Sequence, residues 1–98
     1  MKATDIDDMA AHRIIVTGKV QGVGYRNWAV TRARVLGITG YVRNSGKSVE
    51  VVVSGEDAVV EKMIELLHDG PALARVDNVE IHAANDARLK GFTKRLGA

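Results

Sequence analysis

A glycine-rich stretch, Gly18–Arg26, holds the residues of this sequence that are best suited to bind an anion. It follows the apolar run Ile14–Val16, which is typical of a buried strand, and it leads into a segment with helical periodicity. A strand, a loop and a helix start in this order point several backbone N–H groups and the positive end of the helix dipole at one place. The stretch therefore predicts an anion site that needs neither a metal nor a cofactor.

Arg26 lies in the first turn of the predicted helix, where its guanidinium could grip a phosphate with two parallel hydrogen bonds. No Ser, Thr, Asp or Asn stands between Gly22 and Tyr25, so the first helical amides lack a side-chain acceptor and could be satisfied by a bound anion. The alternative is a tight strand-to-helix turn followed by a surface arginine. The residues predicted to bind phosphate beside Arg26 are Val20, Gln21, Gly22, Val23, Gly24 and Tyr25.

The two common nucleotide-binding loops do not fit this stretch. The pattern G-x-x-x-x-G-K-[ST] is absent because Val20 follows Lys19, and G-x-G-x-x-G fails because no third glycine follows Gly24 at the required place. A nucleotide is thus disfavoured, and a smaller phosphate-bearing ligand fits better.

Asn44 is a second polar residue with a candidate chemical role. It stands where a predicted strand ends, directly before Ser45 and Gly46, and an Asn in that place commonly serves a turn. The other interpretation is that its side-chain carbonyl holds an attacking water molecule. The local sequence leaves both interpretations open.

The stretch Gly18–Arg26 resembles the signature loop of the acylphosphatase family, and the likeness continues through Ala33–Gly37, Gly40–Asn44 and Gly70–Asp77. This resemblance implies a small ferredoxin-like sandwich and the hydrolysis of carboxyl-phosphate anhydrides without a metal. It also implies that Arg26 and Asn44 are the catalytic residues. The chain departs from the family in the turn after Asn44, which is tighter than is usual there.

An acyl phosphate is a mixed anhydride whose carboxylate already leaves readily. Its hydrolysis therefore requires charge neutralisation on the phosphoryl oxygens and a water molecule in line. The loop amides and Arg26 could supply the first, and Asn44 could supply the second. The predicted reaction converts a small acyl phosphate into a carboxylate and inorganic phosphate. The alternative is a module of the same fold that binds phosphate or carbamoyl phosphate without catalysis.

The elements that must position these residues follow from hydrophobic periodicity and turn signals. Helical stripes predict helices over Tyr25–Leu36, ended by Gly37, and over Glu56–Asp69. Apolar and alternating runs predict strands over His12–Gly18, Thr39–Asn44, Ser48–Ser54, around Val79–Ala83 and over Phe92–Leu96. In the last strand, Lys94 and Arg95 would add positive potential near the site. The order predicts an α+β two-layer sandwich, βαββαβ with a short C-terminal strand, in which two helices cover one face of a mainly antiparallel sheet.

Charge is strongly segregated along the chain. Residues 9 to 49 contain seven Lys or Arg and no Asp or Glu, whereas residues 50 to 86 contain two basic and nine acidic residues. The first half holds the loop, so it is expected to attract an anionic substrate. Because this half has no carboxylate, it offers no ligand set for Mg²⁺, and no metal site is predicted.

The totals limit the class of protein. The 98 residues are expected to form one domain over residues 12–98, after a flexible leader over residues 1–11. The sequence has no Cys, which excludes disulfides and a cysteine nucleophile. Aromatic residues make up 4% of the chain, too few for the stacking platforms of single-stranded nucleic-acid binders. No stretch approaches the ~20 apolar residues that cross a membrane. A cytoplasmic monomer that binds neither nucleic acid nor membrane is expected.

Overall fold

A computed structural model of the chain describes residues 9–84 and 90–96. Within them the elements follow one another as β1 (Met9–Lys19), α1 (Tyr25–Leu36), β2 (Thr39–Ser45), β3 (Ser48–Glu56), α2 (Asp57–Asp69), β4 (Arg75–Ala83) and β5 (Phe92–Arg95). This is the predicted βαββαβ order with a short additional strand.

The strands of the described residues form one sheet in the order β4-β1-β3-β2-β5. The pairs β1–β3, β1–β4 and β2–β3 are antiparallel, and β5 alone runs parallel to its neighbour β2. Both helices pack on the same face of this mixed sheet, so the architecture is the predicted ferredoxin-like two-layer sandwich. No helix among residues 9–84 and 90–96 is long and apolar enough to cross a membrane.

The core lies between the sheet and the helices, and the alternation of the strands decides which residues enter it. Val49, Val51 and Val53 of β3 are fully buried on the helix-covered face. The helices contribute apolar side chains at three- and four-residue steps. The helix residues buried in this core are Tyr25, Ala29 and Ala33 of α1, and Val60, Met63 and Leu67 of α2.

The opposite face of the sheet carries charged side chains. Glu50, between Val49 and Val51, points away from the helices and is 5% exposed. Its carboxylate accepts hydrogen bonds from Arg43 Nε at 2.5 Å and from Arg13 Nη1 at 3.4 Å. The single carboxylate of Glu50 therefore pairs with two cations of the basic half of the chain, on the face away from the helices.

Helix α1 has the predicted bounds because glycine stands at both ends. Gly24 and Gly37 both have left-handed backbone angles, with φ of 81° and 73°. At the C-terminal end, the Ile38 amide donates to the Ala33 carbonyl at 2.9 Å, which is the closing bond of a glycine-terminated helix.

Strand β1 differs from the prediction at both ends. It begins at Met9, three residues before His12, because Met9–Ala11 pair with Ser54–Glu56 of β3. Residues 1–8 lie outside the described residues, so the predicted leader remains a prediction there. At the other end β1 continues to Lys19, one residue beyond the predicted end, and Gly18 lies at a register shift opposite Val76. Gly18 has φ of 128°, and a Cβ there would clash with the carbonyl oxygen of Arg75. Gly18 thus allows the close approach of β1 and β4.

Candidate active site

The loop from Val20 to Gly24 joins β1 to the N-terminus of α1. Gly22 and Gly24 have φ of 75° and 81°, and a Cβ at either position would contact nothing within 4 Å. Glycine is needed there for the left-handed backbone angle and not for space. The loop therefore owes its shape to local backbone conformation.

The N-terminus of α1 has no side-chain cap. Gly24 occupies the cap position without a side-chain hydrogen bond, and the first turn of the helix contains no acidic residue. The first intrahelical bond runs from the Trp28 amide to the Gly24 carbonyl at 3.0 Å. The preceding amides, together with the helix dipole, are thus available to an anion.

A cavity of about 230 Å³ opens at this helix end. It brings together the loop, the start of α1 and one residue each from β2 and β5. The lining residues are Val20, Gln21, Gly22, Gly24, Tyr25, Arg26, Asn27, Asn44 and Lys94. Of the predicted site residues only Val23 is not among them, because its side chain packs against the core. The cavity wall contains two cations and no His, Asp or Glu.

Arg26 lies in the first turn of α1 and reaches across to β5. Its Nη1 donates a hydrogen bond of 3.2 Å to the carbonyl oxygen of Arg95. A guanidinium has five N–H donors, so this bond orients the side chain and leaves most of the donors for a ligand. Among residues 9–84 and 90–96 no carboxylate forms an ion pair with Arg26. Its positive charge is therefore available to an anion in the cavity.

Asn44 lies near the end of β2, paired with Val49 of β3. The hairpin turn itself consists of Gly46 and Lys47, so Asn44 belongs to the strand and not to the turn. It shares the helix-covered face with buried Val42. Its Oδ1 is buried and has no hydrogen-bond partner within the described part of the chain. A buried acceptor without a donor is costly, and the cavity is polar and large enough for a water molecule to supply the donor.

Gln21 connects the two halves of the site. Its Nε2 donates hydrogen bonds to the carbonyl oxygens of Gly46 at 2.8 Å and Ser48 at 2.9 Å. The side chain of this loop residue is thus attached to the hairpin that follows Asn44. The sequence indicated a phosphate-binding amide at this position but gave no sign of this attachment.

Tyr25 contributes its backbone to the cavity, because its side chain belongs to the core. Its ring is 1% exposed and lies 5.3 Å from the Trp28 ring, centroid to centroid. The hydroxyl donates to the carbonyl oxygen of Leu67 in α2 at 2.5 Å. Burial, aided by the charge of Asp69, raises the pKa of Tyr25 above its ordinary value.

Strand β5 contributes Lys94 to the cavity, a residue that the sequence predicted only to lie near the site. Lys94 lines the cavity, as its predicted positive potential suggested, and it forms no ion pair within the described residues. Arg95 differs: its guanidinium lies 3.8 Å from the centre of the Tyr41 ring, on the opposite face of the sheet. Asn27 also lines the cavity and was missed, although its place directly after Arg26 was the available signal.

Metal-ligating residues do not cluster in the described structure. Among residues 9–84 and 90–96, no three His, Asp or Glu side chains come close enough to form a metal-binding group. His82 is exposed on β4, and its Nε2 lies 3.1 Å from Glu80 Oε1.

The protein is a small α+β sandwich in which a glycine-rich loop, a helical arginine without an ion pair among the described residues and an amide acceptor line one cavity. Residues 12–95 match the sequence profile of the family described as Acylphosphatase. The chain belongs to the acylphosphatase family, and it is accordingly a hydrolase.

Individual relatives agree with this family over nearly their full lengths. An acylphosphatase of Caldivirga maquilingensis is 52% identical over 86 residues, which cover 85% of this chain and 90% of that protein. An acylphosphatase of Acidiphilium cryptum is 41% identical over 88 residues, covering 89% and 97% of the two chains. The solved structure of an acylphosphatase from Coxiella burnetii matches with a TM-score of 0.90 at 31% identity, covering 97% of this chain and 100% of that one.

Proposed function

We propose that the chain hydrolyses acyl phosphates in the cavity between the Val20–Gly24 loop and β2. In this proposal the loop amides and Arg26 hold the phosphoryl group, and Asn44 positions the attacking water molecule. One observation carries the proposal: the buried Oδ1 of Asn44, without a protein donor, lines the same cavity as Arg26 and the uncapped helix end.

The phosphoryl group would bind where positive charge converges. The uncapped amides of α1 and the guanidinium of Arg26 both favour a phosphate dianion, and they remain in place as charge shifts during the reaction. Because the carboxylate of an acyl phosphate is a good leaving group, no strong acid is required at its oxygen. This agrees with a cavity wall that contains no His, Asp or Glu.

Water is the nucleophile in the proposed step. Asn44 Oδ1 accepts a hydrogen bond from the water molecule and directs an oxygen lone pair at phosphorus. A bond forms between the water oxygen and phosphorus while the bond from phosphorus to the acyl oxygen breaks, and the acyl oxygen keeps the electron pair. One proton leaves the attacking oxygen for the phosphate or for solvent, so that the products are a carboxylate and inorganic phosphate.

The test is release of inorganic phosphate from benzoyl phosphate in the presence of EDTA. The native chain should be active under these conditions. Arg26→Ala should lose at least about 10²- to 10³-fold in kcat/KM, the usual cost of one preorganised donor. Arg32→Ala is the matched control, because Arg32 is an exposed arginine of the same helix outside the cavity.

The alternative, a module that binds phosphate or carbamoyl phosphate without hydrolysis, gives a different result in the same assay. A native chain that binds phosphate through Arg26 but releases none from benzoyl phosphate would establish the binding module. Activity that Arg26→Ala and Arg32→Ala retain equally would contradict the role of Arg26. The expected monomer and the cytoplasmic location stay predictions.

A further inference from the structure

We propose that Gln21 is a positioning residue for the hydrolysis: its side chain joins the phosphate-binding loop to the hairpin that follows Asn44. The proposal rests on the proposed function above. The Gln21 side chain acts through Asn44 and not on the substrate, because both side-chain N–H donors are bound to the main chain of the hairpin.

The orientation of the Gln21 carboxamide is determined by its partners. Its two acceptors, the carbonyl oxygens of Gly46 and Ser48, lie on either side of Lys47 in the hairpin. An amide nitrogen has two hydrogens, one for each carbonyl. The flipped amide would place Oε1 against two carbonyl oxygens, which is repulsive. Only the donating orientation fits, and it uses the full donor capacity of the side chain.

The two bonds connect the loop to the hairpin beyond the point where the pairing of β1 with β3 ends, at Val16 and Val49. Within residues 9–84 and 90–96, no other side-chain hydrogen bond joins the loop of residues 20–24 to the hairpin of residues 44–49. The phosphate-binding half of the site lies on the first segment and Asn44 on the second. The pairing of β1 with β3 sets the approximate separation of the two halves, and the Gln21 attachment is expected to fix the final distance between bound phosphorus and the proposed water molecule.

Such a distance matters because in-line attack tolerates little error. A displacement of about 1 Å can cost on the order of 10²-fold in rate. The loop amides, in contrast, are arranged by the positive φ of Gly22 and Gly24, which does not involve the Gln21 side chain. Loss of the attachment should thus impair turnover more than it impairs phosphate binding.

The primary test compares Gln21→Met with the native chain. Met keeps the length of the side chain and removes both donors. We expect kcat for benzoyl phosphate to fall by about 10- to 100-fold, while the inhibition constant for inorganic phosphate changes by less than about threefold. Thr31→Val is the matched control, because it also removes a side-chain to main-chain hydrogen bond, from Thr31 to the Asn27 carbonyl on an exposed part of α1.

A second variant tests donation itself. In Gln21→Glu the ionised carboxylate repels the two carbonyl oxygens, whereas the protonated form can donate one hydrogen bond. The kcat of Gln21→Glu, divided by that of Gln21→Met, should therefore rise as the pH is lowered through the range where Glu becomes protonated. A ratio that does not change with pH would contradict the donor role.

The Asn44→Ala background shows whether Gln21 acts through Asn44. Once Asn44 is absent there is nothing left to position, so Gln21→Met should reduce the residual kcat by less than about threefold. Full additivity of the two losses would overturn the proposal, as would an unchanged kcat in Gln21→Met or an equal loss of phosphate binding. A native chain without turnover would overturn the proposed function and this role together. An active native chain with an unchanged kcat in Gln21→Met would overturn this role alone.

Discussion

Arg26 is tied to strand β5 by a hydrogen bond of 3.2 Å from its Nη1 to the carbonyl oxygen of Arg95. The partner is a neutral main-chain group, so the bond orients the guanidinium without cancelling its charge. A carboxylate in the same place would have competed with the substrate. Arg26 thus combines a hydrogen-bonded orientation with an unneutralised positive charge, which is what its proposed electrostatic role requires.

Asn44→Ala is expected to reduce kcat for benzoyl phosphate by about 10²-fold or more, because the proposed water molecule loses its acceptor. The inhibition constant for inorganic phosphate should change by less than about threefold, since phosphate binds to the loop and Arg26. Asn78→Ala, at an exposed position of β4, is the control. A parallel loss of phosphate inhibition would show that Asn44 holds the substrate itself.

A comparison of Gly24→Ala with Gly37→Ala should distinguish the effect of backbone strain on stability from its effect on phosphate binding. A residue with a Cβ costs about 1 to 2 kcal/mol in the left-handed conformation, and Gly24 has φ of 81°. Gly37→Ala introduces the same strain at the other end of α1, where φ is 73°. Thermal unfolding should therefore show similar losses for both variants. Only Gly24→Ala should also weaken phosphate inhibition, because only Gly24 lines the cavity. Equal inhibition constants for inorganic phosphate in the two variants would contradict the assignment of the loop as the phosphate site.

Lys94→Met tests the second cation of the cavity. Lys94 adds positive potential, so its loss should weaken inhibition by phosphate by about 3- to 10-fold at low ionic strength. The effect should shrink in about 0.5 M salt, where charges beyond a few ångströms are screened. Lys62→Met is the control, because Lys62 pairs with Glu65 on an exposed part of α2. A loss that does not depend on salt would indicate direct contact with the ligand.

The contribution of Tyr25 to the free energy of unfolding should decrease at alkaline pH. Its pKa is raised by burial, whereas an unfolded tyrosine ionises near pH ~10. Above that pH the native state keeps a proton that the unfolded state loses, so the free energy of unfolding falls as the pH rises further. Below about pH 10 this contribution to stability is complete.

Tyr25→Phe removes this alkaline dependence. It also removes the hydrogen bond to Leu67, which should cost about 1 kcal/mol at pH 8. The difference in the free energy of unfolding between the native chain and Tyr25→Phe should therefore decrease between pH 8 and pH 11, as measured by urea unfolding. Tyr41→Phe serves as the comparison, because Tyr41 is less buried than Tyr25. An unchanged gap would contradict the raised pKa.

Much of the fold could be predicted because its signals are local. Gly24 and Gly37 bound α1, and the alternation of Val49, Val51 and Val53 indicates the buried face of β3. The start of β1 could not be predicted in this way. Met9–Ala11 have little strand propensity, and they are extended because β3 offers them partners from a distant part of the chain.

The parts of the site that are close in sequence could likewise be predicted. The loop and Arg26 lie in one continuous stretch, so their proximity follows from the local sequence. The attachment of Gln21 to Gly46 and Ser48 requires tertiary contact and leaves no local pattern. For the same reason, the separation of Lys94 from Arg95 onto opposite faces became visible only once the register of β5 with β2 was known.

The parallel pairing of β5 with β2 affects the order in which the site is built during folding. Strand β5 follows every element it contacts, yet it supplies Lys94 and the carbonyl that orients Arg26. The hairpin of β2 and β3 and helix α1 involve shorter closures of the chain, which cost less entropy. A nascent chain that has reached only β4 therefore holds the loop and Asn44 without the anchor of the arginine. Assembly of the complete site is coupled to docking of this last described strand.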